Sequence, residues 1–134
     1  MRVEDVEGIG RGFADKLAGA GVKSTDDLLE QAGSASGRQR LAAATGISAD
    51  QLLKWANHVD LMRLDGVGAE FAELLEAAGV DSPAELAQRN AANLAQTFQE
   101  LDAARPNTVR RVPSEATVAG WIAEARMMKR AVSH

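Results

Sequence analysis

Apolar residues recur along this chain at steps of three and four, and no stretch sustains the alternation of a half-buried strand. Phe13, Leu17 and Ala20 keep helical spacing, and Phe71, Leu75 and Ala78 keep the same one. Leu52, Trp55, Val59 and Met62 form a further stripe. Leu94, Phe98 and Leu101 form another, and Val118, Trp121, Ile122 and Ala125 the last. The stripes carry start and stop signals. Ser24 and Ser82 are N-cap residues for short helices that hold Leu28 and Leu86, and Gly21 and Gly79 end the helices before them. Ser34 or Ser36 opens a helix to about Ala44, and the turn Thr45-Gly46-Ile47-Ser48 leads into the next. Asn90 caps a helix from Ala91 to about Ala103, Arg105-Pro106-Asn107 breaks it, and Ser114 opens the final helix. Val3 and Val6 make one face of a short helix at the start. The pattern predicts an all-α protein.

Two of these segments are copies. Val6-Glu7-Gly8-Ile9-Gly10 is matched by Leu64-Asp65-Gly66-Val67-Gly68. Beyond the turn, Phe13, Ala14, Leu17, Ala20, Gly21, Val22, Ser24 and Leu28 recur as Phe71, Ala72, Leu75, Ala78, Gly79, Val80, Ser82 and Leu86. A unit used twice is a supersecondary element. Gly-apolar-Gly reads as a tight turn whose two glycines need positive φ or a close approach. Each copy is then turn, helix, turn, helix, with Phe13, Leu17, Phe71 and Leu75 expected in one shared core.

This pattern resembles the helix-hairpin-helix motif. The wider chain is similar to an uncharacterised bacterial family of tandem helix-hairpin-helix proteins, a domain of unknown function. The resemblance rests on Glu7-Gly8-Ile9-Gly10, Thr45-Gly46-Ile47-Ser48 and Trp55-Ala56-Asn57-His58. It rests also on Arg110-Arg111-Val112-Pro113-Ser114 followed by Trp121-Ile122. It implies tandem helix-hairpin-helix repeats with a helical connector and a C-terminal helix. The expected layout is one compact domain over 1–134: a first repeat at 3–33, a connector at 34–60, a second repeat at 61–90, and C-terminal helices over 91–134. It also implies that turn amides and the following helix N-terminus hold a nucleic-acid phosphate, because unpaired N–H groups and the helix dipole favour an anion. Those amides would lie near Gly8, Gly10 and Arg11, and near Gly66, Gly68 and Ala69, with Ile9 and Val67 packing inward.

Charge separates the two copies. The net charge of −4 conceals 9 basic and 17 acidic side chains over residues 1–104, against 6 basic and 2 acidic over residues 105–134. Attraction to phosphate must therefore be local. Arg11, Lys16 and Lys23 accompany the first turn, with Gly12 keeping its surface open. Asp65, Glu70 and Glu73 surround the second, and Asp81 stands where the first copy has Lys23. Any anion is expected at the first turn. Arg105, Arg110 and Arg111 offer a second basic group, for a nucleic-acid backbone or for bridges to the acidic body of the same chain, which its acidic excess favours.

The remaining candidates are weaker. Helix, Thr-Gly-Ile-Ser turn and helix is also the outline of a helix-turn-helix reader, which would show Gln51, Lys54, Asn57 or His58 to base edges. Two packed helices joined by a tight turn explain it more simply. His58 lacks the company of a zinc site and is expected near a helix surface. Trp55 and Trp121 fall on apolar stripes and belong to the core. The chain has no Cys, which excludes disulfides and cysteine catalysis. No nucleophile, base and orienting group converge, so no enzyme, cofactor or metal is expected. The start runs directly into Glu4-Asp5, and no run approaches the roughly 20 apolar residues of a membrane span. A cytoplasmic protein is the expectation, with no membrane partner. It binds DNA weakly without sequence preference or, alternatively, serves as a protein-interaction adaptor.

Overall fold

The computed structural model describes residues 1–6, 8–105 and 111–133. The described chain is all-α, with a short 3-10 turn at Val3–Asp5 and eight α-helices. These are α1 (Arg11–Gly19), α2 (Thr25–Ala32), α3 (Ala35–Thr45), α4 (Ala49–Met62), α5 (Ala69–Ala77), α6 (Pro83–Leu86), α7 (Ala91–Ala104) and α8 (Glu115–Met127). The Pro106-Asn107 break expected after α7 lies outside the described residues.

The chain divides differently from the sequence expectation. It forms two compact units, residues 1–60 joined by the stretch from Arg130 onward, and residues 61–129. The stretch 34–60, expected as a connector, supplies the second half of the first unit. Residues 91–129 do the same for the second. The physical reason is that each glycine turn and its helix lay an apolar stripe bare, and each receives its own tryptophan-bearing helix to cover it. In the first unit Leu17, Val22, Leu28, Leu52 and Trp55 belong to one buried cluster. In the second, Leu75, Val80, Leu86, Phe98 and Trp121 belong to another.

The duplicated sequence yields duplicated local geometry. At the end of α1 the Val22 N–H donates to the Leu17 carbonyl at 2.9 Å, and the Gly21 N–H to Ala18 at 3.0 Å. At the end of α5 Val80 donates to Leu75 at 2.8 Å, and Gly79 to Glu76 at 2.9 Å. Both are Schellman ends, with Gly21 and Gly79 at φ 88°. The apolar pair that accompanies such an end is present in each, since Leu17, Val22, Leu75 and Val80 are all fully buried.

The serine caps form as the sequence predicts. Ser24 accepts from the Asp27 N–H, and the Asp27 carboxylate accepts in return from the Ser24 N–H, a full capping box. Hydrogen bonds from the Lys23 amide and then the Ser24 amide hold the Asp27 carboxyl below its ordinary range. Ser34, Ser48, Ser82, Asn90 and Ser114 cap α3, α4, α6, α7 and α8 in the same sense.

One tie is not written in any local pattern. Arg38 on α3 is buried, and its guanidinium donates to the carbonyls of Ala32 at 3.0 Å, Gly33 at 3.1 Å and Ser133 at 2.7 Å. The Ser133 N–H donates to the Gly33 carbonyl at 2.8 Å, and Val132 is buried in the first unit's cluster. A Cβ on Gly33 would lie 2.5 Å from the Ala131 carbonyl oxygen, so the close approach of residues 131–133 requires glycine there.

Two expectations are corrected by burial. Phe13, Leu17, Phe71 and Leu75 do not fall in one buried cluster. Leu17 and Leu75 sit in separate clusters, Phe71 is half-buried against the second, and Phe13 is 40% exposed. Each Phe instead lies over a tryptophan. Phe13 meets Trp55 edge-on with ring centroids 5.2 Å apart, and Phe71 meets Trp121 at 5.4 Å. His58, expected near a surface, is 3% exposed, because every residue from Trp55 to Leu61 is buried.

Candidate nucleic-acid interface

In their described residues the two Gly-apolar-Gly turns match. The Ile9 N–H donates to the Val6 carbonyl at 3.0 Å, and the Val67 N–H to Leu64 at 3.1 Å. Between them Gly8 and Gly66 take φ 87° and 81°, the left-handed position that such a turn requires at its third residue. Ile9 and Val67 point inward and are buried.

The second glycine of each turn plays a different part from the one expected. Gly10 has φ −77° and ψ 177°, and Gly68 has φ −95° and ψ −170°, extended conformations open to any residue. A Cβ at either would meet nothing within 4 Å. Each is the N-cap of its helix, and neither helix has a side-chain cap. The first helical hydrogen bonds run from Ala14 to Gly10 and from Ala72 to Gly68, both 2.9 Å. The amides ahead of those donors have no acceptor within their own helix. Thus α1 and α5 present bare N-termini in a protein whose other α-helices are capped by Ser or Asn.

The two glycines should separate in a stability measurement. Gly8→Ala puts a side chain at positive φ and is expected to cost about 1–2 kcal/mol. Gly10→Ala is expected to change stability by well under about 1 kcal/mol, since neither its φ nor its surroundings oppose a methyl group. Urea melts of the two variants check this ordering.

Around the first turn the structure gathers part of the basic set. Arg11 and Lys16 are exposed on α1, and Lys16 Nζ stands 5.8 Å from the centroid of the Phe13 ring. Lys23 lies at the far end of α1, where its carbonyl accepts from the Val3 N–H at 3.2 Å. Nine residues of helix separate it from the turn, about 13 Å of rise. Nearness in sequence overstated its nearness in space. Arg111 is exposed and belongs to the second unit, and Arg110 lies outside the described residues, as does Glu7.

The second turn is engaged by its own chain. The Asp65 N–H donates to both carboxylate oxygens of Glu124, at 2.9 and 3.1 Å. These are charge-assisted bonds from a turn amide to an anion. Glu124 stands one turn after Trp121 on α8, and the residue one turn after Trp55 on α4 is the buried His58. Sequence reading missed Glu124. The signal was available, as an acid where the other unit's tryptophan helix carries a histidine.

The helix-turn-helix alternative loses two of its four readers, while Lys54 is exposed and Gln51 half-buried. Asn57 and His58 are 5% and 3% exposed and cannot face base edges. Among the described residues, no helix is long and apolar enough to cross a membrane.

The fold thus defines an all-α protein of two helical units, each opening on a glycine turn. A family model described as Domain of unknown function (DUF4332) matches residues 7–128, and the chain belongs to that family. Comparison with curated proteins and with solved structures gave no match.

Proposed function

We infer that the protein is a non-enzymatic nucleic-acid-binding module, built on two helix-hairpin-helix repeats, that contacts backbone phosphates without sequence preference. The observation that carries this reading is Gly10 at the bare N-cap of α1, in a backbone conformation that would accept a capping side chain. A serine there would serve folding better, since a side-chain cap satisfies an amide that glycine leaves bare. Glycine keeps the amides open to an outside anion, and Arg11 and Lys16 add positive charge beside them. The second turn works as scaffold, because Asp65, Glu70 and Glu73 repel an anion from the equally bare N-terminus of α5, and the Glu124 carboxylate on the Asp65 amide adds to that negative charge.

Gly10→Asp tests the reading by separating folding from binding. The new carboxylate should cap α1 and leave stability unchanged or slightly raised. It should also occupy the amides and abolish salt-sensitive binding of DNA at low ionic strength. Gly68→Asp should leave binding intact. Retained affinity in a folded Gly10→Asp protein would remove the first turn from the interface.

The second reading, a protein-interaction adaptor, is favoured by the acidic setting of the second turn, which suits a basic protein surface. Association that persists after nuclease treatment and depends on Glu70 and Glu73 would support it over the first.

A further inference from the structure

Phe13 is the exposed aromatic among the described residues, at 40%, and it stands on α1 two residues into the helix that the first turn opens. Its copy, Phe71, packs on Trp121 at nearly the same distance that Phe13 keeps from Trp55, yet Phe71 is half-buried. The neighbours along the two helices differ as well. Phe13 has Gly12 before it and Lys16 one turn on, whereas Phe71 has Glu70 before it and the buried Leu74 one turn on. In the first unit the ring stays 40% exposed with the flexible Lys16 ammonium over it. Asp15, the nearest acid on α1, is two residues from Phe13, a spacing that does not place the two side by side on a helix. Trp55 beneath the ring holds it in place, so little conformational entropy remains to be lost on stacking.

We propose that Phe13 is a base-stacking platform, and that the first turn therefore takes an unpaired stretch of nucleic acid in preference to a closed duplex. The inference rests on the phosphate reading above and names the ligand class. Its three parts are distinct: bare amides at Gly10, positive charge on Arg11 and Lys16, and a held, exposed ring beside them. Together they match how single strands are bound without sequence preference, by a positive track for the backbone and an aromatic face for the base. Lys16, now over the ring, would move aside to the phosphate. Duplex bases are stacked on each other and offer no face to Phe13.

The test measures anisotropy of a fluorescein-labelled oligodeoxyadenylate and of a blunt duplex of equal length, at low salt. Wild type should bind the single strand more tightly. Phe13→Leu, which keeps an apolar side chain and removes the ring, should weaken single-strand binding roughly five-fold or more, as loss of one base–aromatic stack does. It should leave duplex binding unchanged. Phe13→Trp should retain single-strand affinity, and Phe71→Leu should match wild type. Equal binding of single strand and duplex overturns the inference while leaving the phosphate reading intact, as does a folded Phe13→Leu protein with wild-type affinity. Absence of binding to either probe overturns both. Gly10→Asp reports on the phosphate reading alone, because it should remove single-strand and duplex binding together.

Discussion

Phe98→Ala is expected to lower the stability of the second unit by roughly 3–5 kcal/mol, the range for truncating a fully buried aromatic side chain. Phe98 on α7 has no exposed surface and sits in one cluster with Leu75, Val80, Leu86, Val118 and Trp121. Truncation there removes the transfer energy of the ring and leaves a cavity that surrounding helices fill only partly. The same change at Phe71 should cost less, because that ring is half-buried, and at Phe13 less still. The order Phe98, Phe71, Phe13 is the checkable claim. The chain carries two tryptophans and no tyrosine, so a Trp55→Phe background leaves Trp121 as a fluorescent reporter within the second unit. A Phe13→Ala protein as unstable as Phe98→Ala would contradict the exposure of Phe13.

Arg38→Met is expected to cost the first unit about 2–4 kcal/mol. The methionine keeps most of the apolar stem and removes the guanidinium. The buried Ala32 carbonyl then loses the guanidinium donor, at about 1–3 kcal/mol, and Gly33 and Ser133 lose a charge-assisted bond each, although Gly33 keeps the Ser133 N–H. Relief from burying a charge offsets part of this. Arg38→Lys should recover little, because a single ammonium lacks the planar fork that reaches three carbonyls. Trp55 fluorescence in a Trp121→Phe background follows the unfolding. Hydrogen exchange at the Ser133 amide, which donates to Gly33, should accelerate in the same variants. Wild-type stability in Arg38→Met would mean that the cost of burying the guanidinium cancels its hydrogen bonds.

Much of this molecule was legible in the chain. Helical spacing placed the stripes of α4, α7 and α8. The caps Ser24, Ser34, Ser48, Ser82, Asn90 and Ser114 fell where short-range chemistry puts them, because a cap involves only residues three apart. Gly21, Gly46 and Gly79 took left-handed φ at helix ends for the same local reason. The copied residues were visible, and they carry matching turn hydrogen bonds and Schellman ends.

What the sequence could not determine depends on contacts between segments far apart in the chain. Spacing assigned Phe13 to an apolar stripe, but its ring lies against the Trp55 ring from α4 and stays 40% exposed. Gly10 and Gly8 look alike in a Gly-Ile-Gly string, and only their dihedral angles distinguish a glycine that the turn requires from one that the turn could replace. Lys23 lies near the turn in sequence and at the opposite end of α1 in space. His58 and Arg38 are polar letters that local patterning sends outward. Packing on α4 buries the first, and three carbonyls, one of them nearly a hundred residues away in the sequence, hold the second. Local pattern determined the helices and their ends because the energies involved act within one or two turns. Burial, the division into two units and the closing of the second turn by Glu124 were decided by tertiary structure, because each depends on which distant segment arrives to cover a face.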